Sequence, residues 1–335
     1  MLGEPTVDQV SVDAALSTYA VQKFYYSGYV ADLIAPAIPV DNLSGKYFVI
    51  DPRKGTSQEI ERELMPGDVA PEFNFVIDKG TYSCITEGLR HILPDITAAN
   101  ANPVLATKIK GIDQIINNLA LKREAKLHAL ITEADTYPGG TAGAHWFAAA
   151  TAWDVAGTDP KIDIDQMVRQ IRLACGMQPN TMLCSPKAYD ILTRNDEIKD
   201  LIRYNPAKVT EYFLTGGLGD MLFRLKLVDA AGVYNTAAPL EDLNMAYLWE
   251  SSSDAGDDWV WIGYVDRNPG LWTAGFANQF VFKMNAIAPG LMGRVRIYRD
   301  EPREGTWYEF RTEVEPLVVN NGAGGVITGI ETATS

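Results

Sequence analysis

The chain has 335 residues, of which 47% are hydrophobic and 21% charged, and 29 Lys and Arg against 43 Asp and Glu leave a formal net charge of −14. That much apolar material excludes a disordered chain, and the length suggests about two domains. The acidic balance argues against a nucleic-acid binder, which needs a net basic footprint to displace counterions.

Residues 1–20 carry Glu4, Asp8 and Asp13 but no Lys or Arg, so no signal peptide is expected. No apolar run reaches the ~18 residues of a membrane helix; Tyr29–Val40 comes nearest and is interrupted by Asp32, Pro36 and Pro39. Tyr19, Phe24, Tyr25, Tyr26 and Tyr29 crowd this first region, and Pro36 and Pro39 favour extended chain after them. Apolar surface of this kind either meets a partner or packs on its own domain, and the residues alone leave both open.

Lys46–Asp51 and Phe73–Ile77 followed by Thr81–Ile85 carry the β-branched and aromatic enrichment of strands. Between them, Pro52, Gly55, Pro66, Gly67 and Pro71 mark a long polar connection. Together they predict an extended hairpin that leaves the body of the protein. Asn102–Glu133 predicts one amphipathic helix of ~45 Å, with Asn102 as N-cap, Pro103 at the first helical position, and an apolar stripe through Leu105, Ile109, Ile112, Ile116 and Leu119. Lys108, Lys110, Lys122, Arg123 and Lys126 make this segment locally basic, the usual sign of a solvated face.

Asp163 and Gln166 fit a capping box opening a second helix that ends near Cys175; Thr181–Ser185 is a short strand, and Pro186 starts a third helix. From Tyr212 onward the pattern is mostly strand, at Phe223–Val228, Met245–Trp249, Trp259–Val265, Val295–Tyr298 and Trp307–Val314. The Gly- and Thr-rich Asn320–Ser335 is expected to be loose or held by a neighbour.

Catalytic and metal motifs are missing from this sequence. The three histidines, His91, His128 and His145, form no HExxH or Cys–His pattern, so neither zinc nor any other cofactor is expected. There is no GxSxG elbow or phosphate-binding loop, and Gly216-Gly217-Leu218-Gly219 reads as a plain loop. Asp163 and Asp165 are better explained by the start of a helix than by acid–base chemistry. Asp254, Asp257 and Asp258 fit a solvated turn better than a calcium site. Cys84, Cys175 and Cys184 occur without a CxxC, so they read as reduced thiols, and Cys184-Ser185 as structural rather than nucleophilic. No enzymatic activity is expected.

The order of parts resembles the Hong Kong 97-type major capsid protein of tailed bacteriophages. The residues that carry the likeness are Tyr29–Pro36, Pro39-Val40 and Ser44–Val49 at the arm-to-loop entry, and Thr81–Cys84 at the loop's return. Ala120–Leu130 with Arg123-Glu124 matches the spine helix, and Trp153, Thr158-Asp159-Pro160, Asp163-Ile164, Gly176, Pro179–Leu183 and Tyr189–Leu192 match the start of the axial domain. The resemblance implies an α+β capsid fold: an arm over 1–45, an extended loop over 46–85, a peripheral domain over 86–155 and 270–320 with spine helix 102–133, an axial domain over 156–269 and a tail over 321–335. It implies a structural protein that self-assembles into hexamers and pentamers of an icosahedral phage head around double-stranded DNA, with no membrane partner. Scaffolding, portal and decoration proteins are the implied partners, with DNA only in loose contact. Residues 1–20 are too short for the built-in scaffold of many relatives, so either a separate scaffolding protein or a processed form is expected, and the Met1 start favours the former.

On this reading the apolar arm over Phe24–Val40 is buried on neighbouring copies. The expected inter-subunit contacts are Tyr25, Tyr26, Tyr29 and Ile34 of the arm and Arg53, Lys54, Glu59, Glu61, Arg62 and Glu63 of the loop. Lys46, Lys54 and Lys79 are the lysines available for the isopeptide link some relatives form, though an ordinary exposed lysine is the simpler reading. The alternatives are an encapsulin-like nanocompartment shell, an unrecognised two-domain α/β enzyme and a self-associating binding protein.

Overall fold

The structure is a computed structural model, and it describes residues 10–12, 14–25, 29–49, 69, 78–100, 104–203, 224–237, 242, 244–250, 258–283 and 293–332. In chain order the arm region supplies β1 (Val10–Val12), α1 (Ala14–Tyr25), α2 (Ala31–Ile34) and β2 (Ala37–Val40). The hairpin and spine follow as β3 (Ser44–Val49), β4 (Asp78–Ser83), β5 (Thr86–Pro94), α3 (Asp95–Asn100) and α4 (Val104–Thr132). Next come β6 (Trp146–Ala148), α5 (Pro160–Cys175), β7 (Thr181–Cys184), α6 (Pro186–Arg194), α7 (Asp196–Arg203), β8 (Lys226–Asp229), β9 (Val233–Asn235) and β10 (Met245–Tyr247). The chain closes with β11 (Val260–Gly263), β12 (Trp272–Thr273), β13 (Ala277–Phe282), β14 (Gly293–Asp300), β15 (Gly305–Val318) and β16 (Gly324–Thr328).

Two sheets carry the body. The first runs β1-β14-β15-β13-β2, with β5 also paired to β15. Its organiser is β15, long enough for its first part, Gly305–Glu313, to pair with β5 while Val314–Val318 pairs with β13. Helices α1 and α4 cover this sheet, burying Phe24, Ile112, Ile116 and Leu119 against Val295, Phe310 and Val314. The second sheet runs β6-β16-β11-β7-β8. Its inner strands β7 and β11 are buried at every position, as strands covered on both faces must be, and Met167 and Ile171 of α5 and Leu192 of α6 belong to its core.

Helix α5 begins three residues before the expected start. Asp159 is its N-cap, accepting the Lys161 N–H at 2.9 Å, and Pro160 takes the first turn. Asp163 is therefore no cap; its carboxylate accepts the buried Trp153 indole N–H at 2.9 Å. Gly176 at φ 72° closes the helix in the left-handed region that suits glycine. Helix α6 starts at Pro186 as expected, with Ser185 Oγ accepting the Ala188 N–H.

The expectation of a loose tail is overturned. Strand β16 sits inside the second sheet between β6 and β11, and Val326 and Ile327 are fully buried. Its glycines are required by crowding. A Cβ on Gly324 would lie 2.6 Å from the Phe276 ring, and one on Gly325 would strike Met167. Strand β13 went unrecognised in the sequence, where Asn278 and Gln279 mask its apolar period.

Candidate functional site

Strand β13 is where the arm and the hairpin both attach. Successive side chains of a strand point to opposite faces, and Gln279 and Phe280, both fully buried, use that alternation to hold different parts of the chain.

Gln279 holds the arm. Its Nε2 donates to the Ala35 carbonyl at 2.6 Å, the Ala31 carbonyl at 3.2 Å and Asp32 Oδ1 at 3.1 Å. The spine helix supplies the rest of the clamp through two adjacent residues. Arg123 donates to the Phe24 carbonyl, near the end of α1, at 3.2 Å and to Asp32 Oδ2 at 3.1 Å, with its guanidinium 4.2 Å above the Phe24 ring. Glu124 accepts the Val30 N–H at 3.1 Å and the Ala31 N–H at 2.8 Å, and also the Trp249 indole N–H at 2.7 Å. Val30 makes no side-chain cap of its own, so Glu124 caps α2 from outside. One end of each arm helix is thus satisfied by the same turn of α4. Burial pushes the Glu124 carboxyl above its ordinary value, and the Ala31, Trp249 and Val30 donors oppose that rise. Burial likewise raises Asp32, against the pull of Arg123.

This geometry corrects the reading of the arm. Phe24, Val30, Ala31, Ile34, Ala35, Ile38 and Val40 are all buried within their own chain. Ile34 has no exposed surface and is removed from the inter-subunit set. Tyr29 is half-buried, packed on the same chain's core and against Gly232. Tyr26 and the Tyr25 side chain lie outside the described residues, as do Arg53, Lys54, Glu59, Glu61, Arg62 and Glu63. The basic character of the spine helix is partly answered within the chain, since Lys122 and Lys126 both pair with Glu87, at 3.0 and 2.8 Å.

Phe280 holds the hairpin. Strands β3 and β4 pair antiparallel from Ser44↔Ser83 to Val49↔Asp78, with β12 on the other edge of β3. Tyr82 stacks on Phe280 at 4.6 Å and 4°, and Tyr47 at 5.4 Å and 29°. Each tyrosine lies across a glycine of the opposite strand. Gly45 pairs with Tyr82 and Gly80 with Tyr47. A Cβ on Gly45 would sit 2.6 Å from the Tyr82 oxygen, and one on Gly80 would overlap the Tyr47 ring. The hairpin root is therefore a tyrosine–phenylalanine–tyrosine stack that fits only above glycine.

The outer side of this root is open. Phe48 stacks on Trp272 at 4.7 Å, and Trp272 is 48% exposed. Leu271 beside it in sequence is exposed too, as are Leu43 and Ile85 flanking the hairpin strands and Ile162 and Leu173 on α5. Phe280, Gln279 and Trp272 escaped sequence reasoning because each acts through a partner about 200 or more residues away.

Among the described residues no group of three or more His, Cys, Asp or Glu is arranged to hold a metal. Burial pushes the Cys84 thiol up to about 11 and raises that of Cys184 further, so neither is a thiolate at neutral pH.

Comparison with known proteins places the fold. A phage-related protein from Bordetella bronchiseptica RB50 superposes with a TM-score of 0.70 at 18% identity, over 96% of this chain and 99% of that one. The SrpI encapsulin of Synechococcus elongatus PCC 7942 matches with a TM-score of 0.51 at 12% identity, over 100% and 96%. The capsid structure of cyanophage P-SCSP1u matches at 0.50 and 11%, over 98% and 91%. No curated protein sequence matches the chain. The fold is the Hong Kong 97-like α+β fold. In sequence, residues 140–219 match the family described as phage major capsid protein E. That stretch is similar to a phage major capsid protein, and it lies within a fold shared with phage and encapsulin shell structures.

Proposed function

We propose that the chain closes into hexamers and pentamers that build an icosahedral phage head around double-stranded DNA. The observation that carries this is the capsid-family match over residues 140–219, set within a fold shared with an encapsulin over 100% and with a cyanophage capsid over 98% of the chain. Virions are where such a protein resides, and among the described residues no helix is long and apolar enough to cross a membrane.

The mechanism is heterologous contact repeated around closed rings. The hairpin, aimed by its stacked root, reaches the neighbouring subunit, where Arg53, Lys54, Glu59, Glu61, Arg62 and Glu63 pair with charges on the next copy. Rim pairs of this kind contribute little each and set register instead. Tyr25, Tyr26 and Tyr29 of the arm add contacts to the next copy. The exposed apolar groups at the hairpin root and on α5 supply the burial. The net charge of −14 keeps free subunits apart and weakens adhesion to packaged DNA. Scaffolding, portal and decoration proteins complete the set of partners.

A second reading, an encapsulin-like compartment, draws on the similarity to the SrpI encapsulin. Particles purified from phage-producing cells and treated with nuclease separate the two. The phage reading expects protected double-stranded DNA inside them. Particles that hold protein cargo and no DNA would support the compartment instead.

A further inference from the structure

One cleft takes no part in the arm clamp, the hairpin root or the exposed apolar surfaces. It lies between the C-terminal half of the spine helix and the β9–β10 pair, with a volume of about 730 Å³, in the range of sites that take a ligand or a short peptide. Its walls are aromatic: Trp146 of β6, Trp259 just before β11, Tyr234 and Tyr247 of the β9–β10 pair, and His128 of α4. Glu250 is the only carboxylate among the described lining residues, and no Lys or Arg is among them.

Three features give the cleft a charge preference. Aromatic faces attract cations through their quadrupole. Glu250 is only loosely compensated: Lys187 Nζ stands 3.9 Å from it and 3.5 Å from Glu331, so one ammonium serves two carboxylates. His128 does not repel a cation at neutral pH, because burial lowers its pKa from 6.5.

The mouth is open. Tyr247 is 44% exposed, and the β9–β10 ribbon pairs with no third strand among the described residues. A two-stranded ribbon alone is marginal in water and gains from an added contact.

We infer that this cleft binds a basic peptide segment of a partner protein, with an arginine or lysine stem against the indole and phenol rings and its charge at Glu250. Charge complementarity selects this occupant. A basic segment meets aromatic side chains and a carboxylate short of positive charge. All the described lining residues belong to one chain, so the test does not depend on the shell reading.

The test uses the full-length, unassembled chain and a blocked four-residue peptide alternating arginine and leucine. Tryptophan fluorescence reports through Trp146 and Trp259, and titration calorimetry gives the affinity. Saturable binding is expected, weakened about tenfold by Glu250→Gln and by Tyr247→Ala, with the circular dichroism of both variants unchanged. Because Tyr247 is at the mouth and Glu250→Gln keeps the shape, loss of fold in one variant leaves the other to decide. Four results would each overturn the inference: no binding at millimolar peptide, equal binding of the glutamate–leucine counterpart, equal binding by spermidine, or full affinity in both variants.

Discussion

The arm and the hairpin are held by neighbouring residues of the same strand through opposite chemistry. The arm is held by polar groups, Gln279, Arg123 and Glu124, that reach its backbone and Asp32 from two other elements. The hairpin is held by rings stacked over glycines. Polar clamps are directional and fail sharply when one member is removed, because the remaining buried groups lose their partners. A ring stack is held by contact area and shape, so it yields to a change of volume. The arm is thus tied down within its own subunit, while the hairpin root leaves Trp272 beside it exposed. Richness in aromatic residues does not decide which copy of the chain covers them.

The comparison breaks most visibly at Phe280. Phe280→Ala is expected to cost about 3–5 kcal/mol by removing a fully buried ring, and to expose the hairpin to protease while α1 stays protected. Urea unfolding and limited proteolysis of unassembled chain measure both effects; cleavage at Lys23 of α1 rising together with the hairpin would show that the two attachments are not separate.

Glu124→Ala is the converse. It strands three donors, from Val30, Ala31 and Trp249, at an expected cost of about 3 kcal/mol. Cleavage at Lys23 should accelerate and the hairpin should be spared; unchanged cleavage would mean the clamp does not retain the arm.

Gly80→Ala sharpens the hairpin side. The added methyl must displace the Tyr47 ring from Phe280, for an expected loss of about 1–3 kcal/mol. Stability equal to that of the parent chain would show that the ring moves freely and the root is not rigid.

The smallest effect is a pH dependence behind the clamp. His128 packs edge-on against Trp249, the indole bound to Glu124, and burial lowers its pKa below 6.5. A base depressed in the folded state contributes stability that is present above 6.5 and lost as pH falls through the folded value. Asp32 and Glu124, raised by burial, act in the opposite sense at lower pH. His128→Phe should therefore stabilise the chain relative to the parent more at pH 5.5 than at pH 7.5 in thermal melts, and parallel profiles would contradict it.

Much of this fold was legible locally. The hairpin, the spine helix and the start of α6 each carry their own signals in Lys46–Val49, the stripe Ile112–Leu119 and Ser185-Pro186. What was not legible depends on contacts far along the chain. Asp163 and Gln166 imitate a capping box, yet Asp163 is occupied by Trp153. Gly324 and Gly325 suggest a loose tail until Phe276 and Met167 are seen against them. The arm's aromatic crowding gave no sign of which subunit covers it, because the deciding residues, Arg123, Glu124 and Gln279, lie about 90 to 250 positions away. The loop contacts expected from Arg53 to Glu63 remain part of the proposal.

One cryo-microscopy map of the assembled particle, clear enough to follow side chains, tests the central claim. The account predicts a closed shell in which Glu124 takes the Val30 and Ala31 N–H groups of its own chain, and in which Trp272 and the hairpin's outer face are covered by a neighbour. A map in which the arm docks on Glu124 of an adjacent subunit, or in which Trp272 faces solvent in every copy, would contradict it.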